Sequence, residues 1–561
     1  MVTSTVALGV TAVVLTVFAA LGVWHSRGRV GTVEDFISAR SSAGPGTLTA
    51  TLVASSMGAW ILFSPAEAAA AFGGLSALVG YGLGSAVPLV AYAWLGPRIR
   101  EYVPAGHSLT EYAYARYGPL MYAYVLVVSV AYMFVFLAAE MTGITGALAV
   151  SGSASATGGL RGDYRTVVNV VDEGADPNGG ESITPVLERL RSDDTLLEFP
   201  DGRYYMDRKL RFTGFENFGL RGHGKATLVP PNYWNFGDDS HKLFRLGTHY
   251  APGRDLHVEN FRVDMRAPNT GVRPFEVSVS DGLLVRNVDV LGQHDSGTWG
   301  VGLFRVTDRD GEGLVQGFRA PRGGAGNHET PADMLARGGP TGILCNQGHR
   351  GTITFHNCIV GPFPDNGLYA SGGTGVVNVR GGVYRNSGTA SIRIGARTSR
   401  VENVLVTVDH DPFGIPQEGI RLDYGRWFDL NDVTIDVPRA NGEALNIQNP
   451  VEGAFLRNSS VSMGQNAHRT VQINPEVGGT YLKNVDIDIA DSNTAVNIEG
   501  KGGPNVNLVD MHITGDAGGE RMRHAVRCER DGCKFRGLEV DQPGGNKRRG
   551  IALLGDDGYY E

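Results

Sequence analysis

Two hydrophobic periods meet near residue 150. Before it, apolar residues dominate four stretches, about 5–24, 50–72, 75–96 and 118–150, each long enough for the ~20 residues that a membrane-crossing helix needs. After it no apolar run approaches that length, and a six-residue pattern takes over: apolar, any, Asn/Asp/Gly, apolar, any, apolar. It recurs at Phe215–Leu220, Val258–Val263, Val285–Val290, Phe355–Val360, Val401–Val406, Leu430–Ile435, Leu456–Val461, Leu482–Ile487 and Leu508–Ile513, the last four copies 26 residues apart. Short alternating strands at regular spacing, with no helical period between them, predict a β-solenoid in which each coil stacks on the last.

A second strand recurs about one coil apart, as Leu368-Tyr-Ala, Ile392-Arg-Ile, Ile420-Arg-Leu, Leu445-Asn-Ile, Val471-Gln-Ile, Val496-Asn-Ile, Val526-Arg-Cys and Ile551-Ala-Leu. Its odd positions are apolar and its even positions mostly polar, so a period of two sends the first set into the lumen and the second to solvent. The Asn of the six-residue pattern suits a left-handed turn position, and stacked Asn side chains form a ladder. About ten coils at ~4.8 Å predict a rod on the order of 50 Å long. Residues 307–342, Gly- and Arg-rich, interrupt the coil spacing and are expected to leave the solenoid as a long loop.

Composition sharpens the boundary. Residues 1–150 contain six Arg, six acids, no Lys and no Asn, so the net charge of −8 belongs to the remainder. That excludes a basic nucleic-acid footprint and hence a nucleic-acid partner. Cys345, Cys358, Cys528 and Cys533 are irregularly spaced, which fits buried rungs better than a metal site, with a Cys528–Cys533 disulfide as the alternative. In the apolar half, Arg27, Arg29 and Arg40 fall between the first two stretches and Arg98, Arg100 and Arg116 between the last two. The positive-inside rule makes both loops cytoplasmic. The expectations are therefore a plasma-membrane protein with lipid as a partner, and both termini and the solenoid outside. Glu67 and Glu140 lie within apolar stretches, either as functional groups or near an outer helix end in reach of water.

The segments Val33-Glu-Asp-Phe-Ile-Ser-Ala-Arg40, Ala50-Thr-Leu-Val-Ala-Ser-Ser-Met-Gly-Ala-Trp60, Gly96-Pro-Arg-Ile-Arg100 and Ser108-Leu-Thr-Glu-Tyr112 resemble the beginning of a sodium/solute symporter, over residues 1–150 only. The resemblance implies a broken second helix whose freed carbonyls, at Ala54 and Met57, help to hold Na⁺, with Ser56 facing the solute. Such transporters need two inverted five-helix repeats, and this chain has no sequence for the second, so the ion site would be half complete. Na⁺ is the cofactor only on that reading; otherwise none is implied.

Beyond the linker 151–162, Val167-Val-Asn-Val-Val-Asp-Glu-Gly-Ala-Asp-Pro-Asn-Gly179, the amphipathic stretch Ser182–Arg191 and Leu197-Glu-Phe-Pro-Asp-Gly-Arg-Tyr204 resemble the N-terminal entry of pectin-lyase-like β-helix proteins. That resemblance covers 163–561 and implies a right-handed parallel β-helix whose short helix caps the open end. The expected fold class is thus mixed: four N-terminal transmembrane α-helices, then an all-β right-handed parallel β-helix. One fold hosts many functions, so activity has to be read from the site.

The polygalacturonase order Asn-Thr-Asp, Asp-Asp, Gly-His-Gly, Arg-Ile-Lys is absent: Gly222-His-Gly224, Asp238-Asp239 and Arg393-Ile-Gly395 are isolated fragments out of register. The second-strand pattern nonetheless projects Tyr369, Arg393 and Arg421 into one outward column, with Asp423 beside it and Asp365 and Glu418 at the preceding turn. Arg side chains can fix carboxylates and Tyr can stack on a sugar ring, making Tyr369, Arg393 and Arg421 candidate substrate-binding residues. Asp365, Glu418 and Asp423 are the candidate carboxylates for acid–base cleavage by a polysaccharide hydrolase or lyase. The bland alternative is a solvated face whose charges neutralise one another. Asp409-His-Asp411 reads as a polar loop rather than a metal site, and no metal is assigned. Function is accordingly expected to be polysaccharide binding, possibly with cleavage, on a membrane-anchored β-helix. The alternatives are a truncated symporter-family transporter, a non-catalytic surface module, or a recombined fusion joined near Ala149–Gly159.

Overall fold

The structure is a computed structural model that describes residues 98–99, 101–102, 109–131, 133 and 164–560, apart from 237–240, 297–298, 331–338, 466–467, 519–522 and 545–547. The chain divides into two compact units, Met1–Gly158 and Gly159–Glu561.

In the first unit the expectation of transmembrane helices is corrected. Among the described residues, no helix is long and apolar enough to cross a membrane. The helix Leu109–Tyr117 has nine residues and carries Glu111 and Arg116. It ends at Gly118, whose φ of +85° departs from helical geometry, and residues 119–131 that follow are helical. Hydropathy reports how readily a segment leaves water, not the length of the helix that carries it. The expected spans at 5–24, 50–72 and 75–96 lie outside the described residues, as do Ala54, Ser56 and Met57 and the acids Glu67 and Glu140. The plasma-membrane and extracellular placement, which rested on those crossings, is withdrawn with them.

The second unit is a parallel β-solenoid of about fourteen turns, more coils than the copies of the motif suggest, and so on the order of 65 Å long. Its strands fall into a 20-stranded and a 13-stranded sheet. In the first, Val401, Leu430, Leu456, Leu482 and Leu508 stand in register on successive coils. In the second, Leu368, Ile392, Ile420, Leu445, Val471 and Val496 do the same. All of these side chains are buried, so the lumen is one continuous apolar core. Aromatics thicken it at the N-terminal end, where Phe199 meets Phe261 edge-on at 5.1 Å and Phe244 stacks on Phe275 at 5.4 Å. The expected amphipathic stretch forms the helix Thr184–Leu190, which buries Thr184 and Leu187 and packs onto the first coils.

The Asn of the six-residue pattern occupies a left-handed position in every copy: Asn217, Asn260, Asn287, Asn357, Asn403, Asp432, Asn458, Asn484 and Asp510 all have φ between 50° and 63°. Asn tolerates this conformation and Gly adopts it freely; Gly317, Gly381 and Gly537 fill the same column where Asn is missing. Side chains link along the ladder, with Asn287 Nδ2 donating to Asn260 Oδ1 at 3.0 Å and Asn484 Nδ2 to Asn458 Oδ1 at 2.9 Å. Replacing Asn458 by Val is expected to destabilise the solenoid by about 1–2 kcal/mol, because a β-branched residue resists positive φ. Asn458→Gly should cost less, and urea denaturation of both variants checks the order.

Two expectations change in detail. Leu220, not Phe215, pairs with Val258, so the first copy is out of phase and Asn217 bonds Asp194 instead, at 2.9 Å. The Arg-rich insertion does not leave the solenoid at residue 307, since Glu312–Ala320 is a full strand of the 20-stranded sheet. Val315-Gln-Gly317-Phe-Arg-Ala320 fits the six-residue pattern with Gly at its third position.

Candidate functional site

Strands Asn366–Ser371, Thr389–Gly395 and Gln417–Leu422 are consecutive rungs of the 13-stranded sheet. Strand alternation buries Leu368, Ile392 and Ile420 and turns the intervening residues outward. Tyr369 pairs with Arg393 and Arg393 with Arg421, so the expected column forms. The Arg393 guanidinium lies over the Tyr369 ring, 4.9 Å from its centroid. Asp423 sits between the two arginines, accepting from Arg393 Nε at 2.8 Å and Arg421 Nε at 2.9 Å, and from Ser371 Oγ at 2.7 Å.

Glu418 completes the cluster from the start of the strand Gln417–Leu422 rather than from the turn before it. Its side chain lies beside Arg421, whose Nη1 is 3.4 Å from Oε1, while Asn446 Nδ2 donates to the same oxygen at 2.8 Å. Its other oxygen, Oε2, is buried with no partner. Burial pushes the Glu418 carboxyl up to about 7, against the pull of Asn446 and Arg421. Water is withheld from the charged form and one oxygen has no donor, so the neutral acid is favoured. Asp365 accepts from Thr341 Oγ1 at 2.5 Å and from Thr389 Oγ1 at 3.4 Å. Its charge is felt by both Tyr369 and Arg393.

The structure therefore brings all six sequence-selected residues to one face. The neutralisation anticipated by the bland alternative is present: two arginines stand among Asp423, Glu418 and Asp365. Two guanidinium groups share Asp423, and Glu418 is the only other carboxylate paired with either of them among the described residues. Asp409 and Asp411 serve the turns instead: Asp409 accepts from Asn386 Nδ2 at 2.6 Å, and Asp411 from the Gly414 amide at 2.8 Å and Asn441 Nδ2 at 3.0 Å. All four cysteines are buried and unpaired, as the rung reading expects.

Asn446 was overlooked as a site residue, although it is the even position of Leu445-Asn-Ile. The same outward column continues through Gln472, Asn497 and Arg527 into a polar hollow of about 550 Å³, lined by Glu443, His468, Arg469, Asn497, Glu499 and Arg527 among others.

No family model matches the chain. A spermidine transporter of Candida albicans, DUR31, is 32% identical over 115 residues, which is 20% of this chain and 22% of that protein. The chain thus spans under a quarter of that relative's length, and the likeness is confined to the N-terminus. It touches the region of the symporter resemblance and does not establish a fusion. Among solved structures, the catalytic unit of a GH87 α-1,3-glucanase from Streptomyces thermodiastaticus aligns with 14% identity and a TM-score of 0.38, covering 70% of this chain and 68% of that one. PfbA, a surface adhesin of Streptococcus pneumoniae, aligns with 12% identity and a TM-score of 0.40, over 70% and 93% of the two chains. The A-module of the mannuronan C-5 epimerase AlgE4 from Azotobacter vinelandii gives 12% identity and 0.31, over 70% and 99%. The fold of the second unit rests on its own strand register, and its chemistry on the residues just described.

Proposed function

We propose that the outer face of the 13-stranded sheet binds a polysaccharide across Tyr369, Arg393 and Arg421. The observation that carries this reading is the spacing of an aromatic ring and two guanidinium forks on consecutive rungs, ~4.8 Å apart. Asp423 holds both forks in place without consuming their remaining donors. A chain lying along the solenoid axis would meet a ring edge, then two planar donors suited to hydroxyl or carboxylate oxygens. The full chain should bind acidic or neutral glycans on an array, and Arg393→Gln should weaken binding at least tenfold. Failure to bind any glycan would remove the proposal.

A second reading, cleavage of the bound chain, is favoured by Glu418. A carboxyl still protonated near neutral pH can donate a proton to a leaving glycosidic oxygen, provided that a second carboxylate activates water or abstracts a proton. Asp365 is better placed for the second role than Asp423, both of whose oxygens are engaged by arginines. Release of reducing or unsaturated ends by the full chain, abolished in Glu418→Gln with binding retained, is the expected result. Binding without any such release leaves a non-catalytic recognition module.

A further inference from the structure

Three rungs toward the N-terminus on the same face, charge is out of balance. Glu276 is a largely buried carboxylate that serves three cations: Lys242 Nζ at 2.8 Å, Arg273 Nη1 at 2.8 Å and Arg245 Nε at 3.0 Å. A fourth cation, Arg305, stands one rung further on. Its Nη2 donates to Asn346 Oδ1 at 2.9 Å, and no ion pair joins it to a carboxylate among the described residues. The rungs are in direct register, Arg245 opposite Glu276 and Ser278 opposite Arg305. The Nε atoms of Arg245, Arg273 and Arg305 are all buried with no hydrogen-bond acceptor; Arg245 Nε lies close to Glu276 but out of line with it.

Four cations around one carboxylate leave a formal excess of three positive charges in a place largely shielded from water. Buried charge is costly unless it is paired, and three orphaned guanidinium N–H groups on neighbouring rungs call for an acceptor. Burial already lowers the Arg273 guanidinium to about 10, and lowers Lys242 and Arg305 as well. Arg245 is the opening of the cluster, its side chain 30% exposed, and exposed Tyr250 and Trp299 flank the face.

We propose that Lys242, Arg245, Arg273 and Arg305 form an anion-binding site that takes a carboxylate, sulfate or phosphate group on the outer face of the 13-stranded sheet. The oxyanion enters at Arg245, the exposed member of the cluster, and supplies the missing negative charge. Glu276 is the resident competitor that holds the cations apart when the site is empty. The register Glu276, Leu303, Leu344, Tyr369 puts this site ~15 Å along the axis from the Tyr369 cluster. The inference stands on the charge imbalance and is independent of the glycan reading.

The test titrates the full chain with sodium sulfate and with sodium phosphate, ionic strength being held constant with sodium chloride, and reads binding by calorimetry and by the thermal midpoint. Saturable binding of either anion, with no comparable effect of chloride, is expected. Arg245→Gln should weaken it about tenfold, and Glu276→Gln should tighten it. Arg305→Gln replaces Arg245→Gln if the latter does not fold. A polyuronate oligosaccharide that binds more tightly than sulfate would identify a chain-borne carboxylate as the source. Equal or weaker binding would identify a free inorganic oxyanion. The inference is overturned if sulfate, phosphate and polyuronate all fail to bind saturably, or if both arginine variants bind as the wild type does. Loss of the anion result with glycan binding intact would leave the Tyr369 face standing.

Discussion

Replacing Arg530 by Met is expected to destabilise the C-terminal coils by about 4 kcal/mol. Arg530 is 1% exposed and ties three coils together through backbone carbonyls. Its Nη1 donates to Val477 O at 2.8 Å and Pro504 O at 2.9 Å, Nη2 to Asn474 O at 2.7 Å, and Nε to Glu499 O at 2.8 Å. Methionine fills much of the same space with no donors, so buried carbonyls on two coils are left unpaired. The desolvation cost of the charge, which has no carboxylate partner among the described residues, is relieved at the same time. That relief keeps the loss well below the sum of the individual bonds. Because each coil of a solenoid leans chiefly on its neighbours, the loss should be local. Hydrogen exchange should accelerate in Val471–Ile473 and Val496–Ile498 while the strands before residue 400 keep their protection. Arg530→Lys should recover part of the effect. Unchanged exchange in the methionine variant would show that the clamp contributes nothing.

The second large effect is a pH dependence centred on Glu418. Its carboxyl is raised to about 7 in the folded chain, while in the unfolded chain it titrates in the ordinary range near 4.5. Below the unfolded value both states are protonated and the group exerts no net effect. Between the two values the folded state holds a proton that the unfolded state has released, so stability falls as pH rises. Above about 7 both states are ionised and the full penalty, on the order of 3 kcal/mol, is present. Glu418→Gln cannot ionise and preserves an oxygen for Asn446. It should match the wild type at pH 4 and exceed it by that amount at pH 8, as read from urea unfolding at the two values. Equal stability at both pH values would mean that Glu418 is ionised in the folded chain at neutral pH. The proton-donor reading would then fail too.

The two predictions differ in how far a reader of the sequence could have reached them. Glu418 is legible as a candidate because it stands just before Ile420-Arg-Leu, beside the outward column that Arg393 and Arg421 share. The elevated carboxyl was beyond reach. It follows from burial among the stacked coils, which outweighs the opposing hydrogen bond from Asn446, 28 residues away in sequence but on the adjacent coil. Arg530 left no trace, because a lone arginine between Cys528 and Cys533 reads as surface. Its burial depends on carbonyls from Asn474 to Pro504 converging on one point. The cationic cluster around Glu276 was equally hidden, since Lys242, Arg245, Arg273 and Arg305 are spread over 64 residues and meet only through coil register.

By itself, the sequence determined the coil. Its period of two sorts side chains between lumen and solvent, and Asn or Gly at the third position of each motif marks where the backbone turns left-handed; both are local properties that a few neighbouring residues impose. The same local reasoning expected membrane-crossing helices before residue 150, where no described helix is long and apolar enough to cross, because apolar length records transfer from water and not the length of helix that carries it. Only the tertiary structure decided which residues meet along the rod axis, and so which charges are shared, buried or left without a partner. Stacking joins positions a full coil apart at ~4.8 Å, and the electrostatics of the outer face arise at that distance.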